Sequence, residues 1–225
     1  MFDTKAALAL LQYGDSAYPA GGFAFSWGLE GLAQDGLLSG QAGLGDLIFE
    51  HLFFRWNTMD RPLLIRAFRA PNFAAVAAVD RYAEAATPSA QMRDGSHRAG
   101  RALLGVSARL GGSLSSGYRT MIAGDPRLGH LPICQALVYR DAGLGIAEAQ
   151  LLSGWTLVTG LVSAGVRLGI IGHVEAQQSI GSARETLADL LASPVLDDVQ
   201  PSSFTPLIDI AVSRGPSRHV RMFST

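Results

Sequence analysis

Between Met92 and Leu110, small and apolar residues recur at Met92, Ser96, Ala99, Leu103, Val106 and Leu110, a 4-3-4-3-4 spacing. That period belongs to one face of an α-helix and not to a strand, whose side chains alternate every second residue. Other segments read the same way. Phe49, Leu52, Phe53 and Trp56 fall at i, i+3, i+4 and i+7, and β-branched alternation between turn dipeptides is nearly missing. The chain is therefore expected to be all-α. It should form one compact helical bundle of about nine or ten helices over residues 1–225.

Start and stop signals divide the bundle. Asp3 or Thr4 caps a first helix to Tyr13, and Gly14 to Gly22 is a loop. Helices are expected over 23–37 and 46–58, with Asp60-Arg61-Pro62 opening the next. Asn72 caps a helix to Ala86, and Thr87-Pro88 restarts a long one that Gly111-Gly112 ends. Residues 113–130 read as mixed. Helices follow over 131–141, 147–168, 173–191 and 206–213, with Ser182-x-x-Glu185 a candidate capping-box break. Gly160-x-x-x-Ala164 and Gly165-x-x-x-Gly169 read as places where helices approach closely. Arg93, His97 and Arg101 share a second face of the 88–110 helix, read as solvated surface, with contact for an acidic partner as the alternative.

The charge set excludes much chemistry. Lys5 is the sole lysine beside seventeen arginines, so there is no G-x-x-x-x-G-K-[ST] phosphate loop and no lysine placed for a Schiff base. A net charge of −1 argues against a nucleic-acid binder. Cys134 is alone, which points to a reducing compartment. The N-terminus lacks a secretory pattern, so a cytoplasmic protein is expected. The uncharged stretch between Glu148 and Arg167 falls short of the ~20 residues of a spanning helix and reads as core, not membrane. No two of the five histidines sit at i, i+4, there is no H-E-x-x-H, and His130-x-x-x-Cys134 has no second pair nearby. His173-x-Glu175 lacks the Pro-Cys-x-x-Cys of a zinc deaminase, and no G-x-S-x-G elbow is present. No metal, cofactor or catalytic residue is expected. A chain with 16% charged residues, against the usual ~25%, suits a subunit that buries several faces in an assembly.

Four segments carry a resemblance. Pro19-Ala20-Gly21-Gly22-Phe23-Ala24-Phe25-Ser26-Trp27-Gly28-Leu29-Glu30 resembles the P-x-G-G-F-[SA]-[YF]-S-x-G-L-E signature of the UreF family of urease accessory proteins. Met92-Arg93-Asp94 through Leu104 is similar to that family's R-x-E/D…G-x-x-L-L helix. Val162-Ser163-Ala164-Gly165-Val166-Arg167-Leu168 through Gly172, with Gln177 beyond, resembles its S-A-x-V-R-L stretch. Thr205-Pro206-Leu207-Ile208-Asp209-Ile210-Ala211 and the terminal Arg221-Met222-Phe223 resemble its A-P-x-L-D-I-A and R-L-F tail. Phe25 stands where members often carry Tyr, His173 and Ala176 replace Gln and Gly, and Met222 replaces Leu.

The resemblance implies an all-α, non-enzymatic scaffold that forms a homodimer. With UreD (UreH in some organisms) it recruits the GTPase UreG and serves nickel insertion into apo-urease. Arg221, Met222 and Phe223 are expected on the UreD side. Gly21, Gly22, Phe23, Ser26 and Glu30 are expected to face or modulate UreG. Arg167, Gly172 and Gln177 are expected as structural or interface residues, and residues 214–225 as a tail ordered only with a partner. An unrelated small-ligand or cofactor-binding helical protein is the alternative.

Overall fold

A computed structural model describes residues 3–18, 25–214 and 222–223. The helices are α1 (Thr4–Gly14), α2 (Leu29–Gln34), α3 (Gly40–His51), a π-helical stretch (Leu52–Asp60), α4 (Arg61–Arg69), α5 (Phe73–Ala86), α6 (Ala90–Arg109), α7 (Ser113–Gly124), α8 (Leu131–Asp141), α9 (Ile146–Arg167), α10 (His173–Ala192) and α11 (Pro206–Ser213). From Gly40 to Arg69 the helix is continuous. With that run counted once, the described residues hold ten helices and no strand, as the periodicity predicts.

Helix α8 is the centre. All eight residues from Pro132 to Tyr139 are buried, and α4, α6, α7 and α9 pack around it. A helix apolar on every side must be wrapped in this way. One buried cluster surrounds it, with Met59, Leu64, Leu104 and Tyr118. A second gathers Leu44, Trp56, Leu161, Leu187 and Ile208 among α2, α3, α9, α10 and α11. Helix α9 is the one described helix long and apolar enough to cross a membrane, and half of its apolar window is buried inside this fold.

The structure departs from the sequence pattern in several places. The helix expected over 23–37 starts only at Leu29. Trp27 (φ 50°) and Gly28 (φ 91°) are both left-handed, which no helix interior allows. Residues 113–124 form a helix despite weak formers, because the Asp141 carboxylate accepts the N–H groups of Leu114 and Ser115 from outside. Asp60-Arg61-Pro62 does not open a separate helix. Pro62, which has no N–H to return to the preceding turn, sits where π spacing gives way to α spacing. Helix α10 is unbroken: Ser182 donates back to the Gln178 carbonyl instead of capping.

The buried stripe of α6 runs Met92, Ser96, Ala99, Leu103 and then Ser107, while Leu110 is exposed. A straight helix drifts about 20° per heptad from a 3.5-residue repeat, so the contact passes to the neighbouring position. The Arg93–Arg101 face is not solvated surface. Arg93 pairs with Glu84, and Arg101 donates to the Pro126 and Leu128 carbonyls, so the chain covers this face itself. Gly165 does pack closely, against Leu44, but Gly160 faces open space.

Candidate partner-facing site

The turn before α2 is built from the inside. His51, fully buried, donates Nε2–H to the Trp27 carbonyl at 2.9 Å. Burial, and then the charge of Arg55, hold its pKa down at about 4, so the ring is neutral at ordinary pH. Ser26 is buried and its carbonyl accepts the Leu29 N–H. Gly28 and Gly31 let α11 approach. A side chain at Gly28 would meet Ile208, and one at Gly31 would lie 2.8 Å from the Ala211 carbonyl oxygen.

This geometry aims Glu30 inward. Its two carboxylate oxygens accept the backbone N–H groups of Met222 (2.6 Å) and Phe223 (3.2 Å). Phe223 is 4% exposed, and the Arg167 guanidinium lies 4.3 Å from its ring centroid. A cation over a desolvated aromatic face is worth about 0.5–2 kcal/mol. The structure therefore unites three segments expected to act separately: the N-terminal motif through Glu30, the end of α9 through Arg167, and the tail through Phe223. Met222 points away and is 57% exposed. Gly172 caps α10, and Gln177 lies exposed on it. Gly21, Gly22, Phe23 and Arg221 lie outside the described residues.

Exposed apolar side chains lie on two elements that meet this turn, the helical run around His51 and helix α11. Phe49, Phe53 and Phe54 form an aromatic group, with Phe49 and Phe53 stacked at 4.2 Å. The Phe204 N–H donates to the Phe54 carbonyl, a π-helical acceptor, and the Phe204 ring is 76% exposed. Leu207 and Ile210 of α11 are also exposed. Large exposed apolar groups in one region mark interaction surfaces.

Arg167 and Gln177 also line a cavity of about 920 Å³ with Tyr13, Arg55, Trp155 and His173. Elsewhere, Asp80 is fully buried and accepts from Tyr118 Oη and the N–H groups of Gly129 and His130. Burial raises its pKa to about 6. Sequence reading missed this residue, since a lone Asp on an Ala-rich helix carries no signal of its tertiary partners. It weighed His97 as surface and His130 only with Cys134, and did not join either to Glu84, because their donor atoms come together from α5, α6 and the start of α8 with no local spacing between them.

The UreF family model matches residues 38–184. A urease accessory protein UreF of Trichodesmium erythraeum is 31% identical over 230 residues, covering 99% of this chain and 98% of its own. UreF 1 of Brucella melitensis is 28% identical over 223 residues, covering 96% and 91%. A UreF of Yersinia pseudotuberculosis is 26% identical over 227 residues, covering 96% and 97%.

Proposed function

Since this chain belongs to the UreF family of urease accessory proteins, we infer that it is a non-catalytic scaffold of urease maturation. In that role it joins UreD or UreH, recruits and modulates the GTPase UreG, and serves nickel insertion into apo-urease in the cytoplasm, as a homodimer within the complex. The observation that carries this reading is the exposure of Phe49, Phe54, Phe204, Leu207 and Ile210, on the run around His51 and on the α11 segment, the two elements that meet the turn leading to Glu30. Exposure on that scale is costly in a lone protein and is offset when a partner covers it.

In this reading Arg221, Met222 and Phe223 contact the UreD-side partner, with Phe223 kept in the seat made by Glu30 and Arg167. On the UreG side, Gly21, Gly22 and Phe23 make the contact. Ser26 and Glu30, both buried, hold the turn in shape. Gly172 and Gln177 stand at the neighbouring surface. The test is co-purification with UreD and UreG homologues. Removal of residues 214–225 should abolish the complex, and undiminished capture by the truncated chain would overturn the role of the tail. The 920 Å³ cavity supports a second reading, a small-ligand-binding helical protein. A ligand-dependent rise in melting temperature without any partner would favour it.

A further inference from the structure

Glu84 lies on α5, His97 on α6, and His130 immediately precedes α8. Glu84 Oε2 stands 2.9 Å from His130 Nε2 and 3.4 Å from His97 Nε2. The imidazole centroids are 4.1 Å apart, and one donor atom from each of the three residues lies within 4.8 Å of the others. Around an ion with bonds of about 2.1 Å, neighbouring ligand atoms stand about 3.0–3.4 Å apart. The two Glu–His separations already match that spacing.

The second oxygen of Glu84 is occupied. Arg93 Nε pairs with Oε1 at 3.2 Å, and Arg93 is itself held by the Thr87 and Pro88 carbonyls. The carboxylate is thus turned so that Oε2 faces both imidazoles, the orienting work that outer residues do around metal ligands. His97 Nε2 is buried with no hydrogen-bond partner, while the ring bonds the Arg127 backbone. A neutral imidazole that donates from one nitrogen presents a lone pair on the other. That lone pair, 3.4 Å from a carboxylate oxygen, is a repulsive contact unless something positive sits between them.

His130 Nε2–H donates to Glu84 Oε2 in this arrangement, and a bound cation would take the place of that proton. His130 is 2% exposed and His97 12%, which leaves access from the Glu84 side. Arg93 and Arg101 bring positive charge and limit the affinity, although Arg101 spends its donors on the Pro126 and Leu128 carbonyls.

We propose that Glu84, His97 and His130 form a binding site for a borderline divalent cation of the nickel–zinc class, with water completing its coordination. Two imidazoles and one carboxylate favour such ions over magnesium or calcium, which prefer oxygen alone. The proposal is independent of the assembly role, because its probe is the metal with this chain alone.

The experiment is calorimetric titration of the chelator-treated full chain with nickel or zinc chloride, beside Glu84→Gln, His97→Gln and the control His173→Ala. One equivalent should bind. Affinity should fall roughly tenfold or more in the first two variants and stay unchanged in the control. The His97 and His130 ring signals should shift with metal in the NMR spectrum of the unaltered chain, a readout that survives if a variant folds poorly. Absence of binding at large molar excess, meaning that a proton alone bridges the pair, would overturn the site. So would equal affinity in all variants, or magnesium binding as tightly as zinc.

Discussion

Glu30 and Phe223 are 193 positions apart in the chain, yet the Phe223 N–H donates to the Glu30 carboxylate at 3.2 Å. The same carboxylate holds Met222, so helix α2 and residues 222–223 meet at one acid. Hydrogen bonds to a buried charge contribute about 1.5–3 kcal/mol each, more than neutral ones. Glu30→Ala should therefore cost about 2–4 kcal/mol and release the tail. Amide hydrogen exchange at Met222 and Phe223 is the measurement. Unchanged protection in the variant would show that the tail is held by other contacts.

How much of this was legible follows from which interactions are local. Helix positions were readable where a face repeats, as at Met92–Leu103, or where a cap lies in sequence, as at Asp3 and Asn72. Helix α7 was not, because Asp141 caps it from 26 or 27 residues away. The start of α2 was misplaced because one left-handed residue, Trp27, is invisible in a pattern of apolar spacing. Site residues were named through motif resemblance, and that they meet is a fact of packing. Nothing local in Glu30, Arg167 or Phe223 says that a guanidinium, a ring and a carboxylate close on one another.

His51 makes the turn sensitive to acid. Its folded pKa of about 4 lies below the ordinary 6.5, so the folded chain takes up fewer protons than the unfolded one between those values. Its contribution is whole above pH 6.5 and is lost as pH falls toward 4, amounting to roughly 3 kcal/mol. Denaturant midpoints of the unaltered chain and His51→Gln should converge as pH drops through this window. Parallel curves would mean that the ring titrates normally.

Asp80 works in the opposite sense. Its folded pKa of about 6 lies above the ordinary 3.8, so its carboxyl favours folding most below 3.8 and progressively less as pH rises through 6. Its worth at neutral pH lies instead in the three donors it satisfies. Asp80→Asn puts an amide NH₂ against at least one of them and should cost about 2–4 kcal/mol. Tyr118→Phe, which removes one donor and leaves the acid paired twice, should cost about 1 kcal/mol. Chemical denaturation of both variants separates the terms, and a loss under about 0.5 kcal/mol for Asp80→Asn would remove the residue from the core argument.

Phe204 separates stability from assembly. Its ring is largely exposed and its backbone, not its side chain, makes the bond to Phe54. Phe204→Asp should therefore leave the melting temperature of the isolated chain nearly unchanged, within about 0.5 kcal/mol. In a complex the same substitution would bury a charge against an apolar partner surface, and a central aromatic anchor is commonly worth 2 kcal/mol or more, some thirtyfold in affinity. Pull-down with UreD and UreG homologues, beside thermal denaturation of the free chain, reads both quantities. Loss of capture with an unchanged melting temperature is the expected result. Full capture would show that the Phe49–Phe54–Phe204 surface faces something other than those partners.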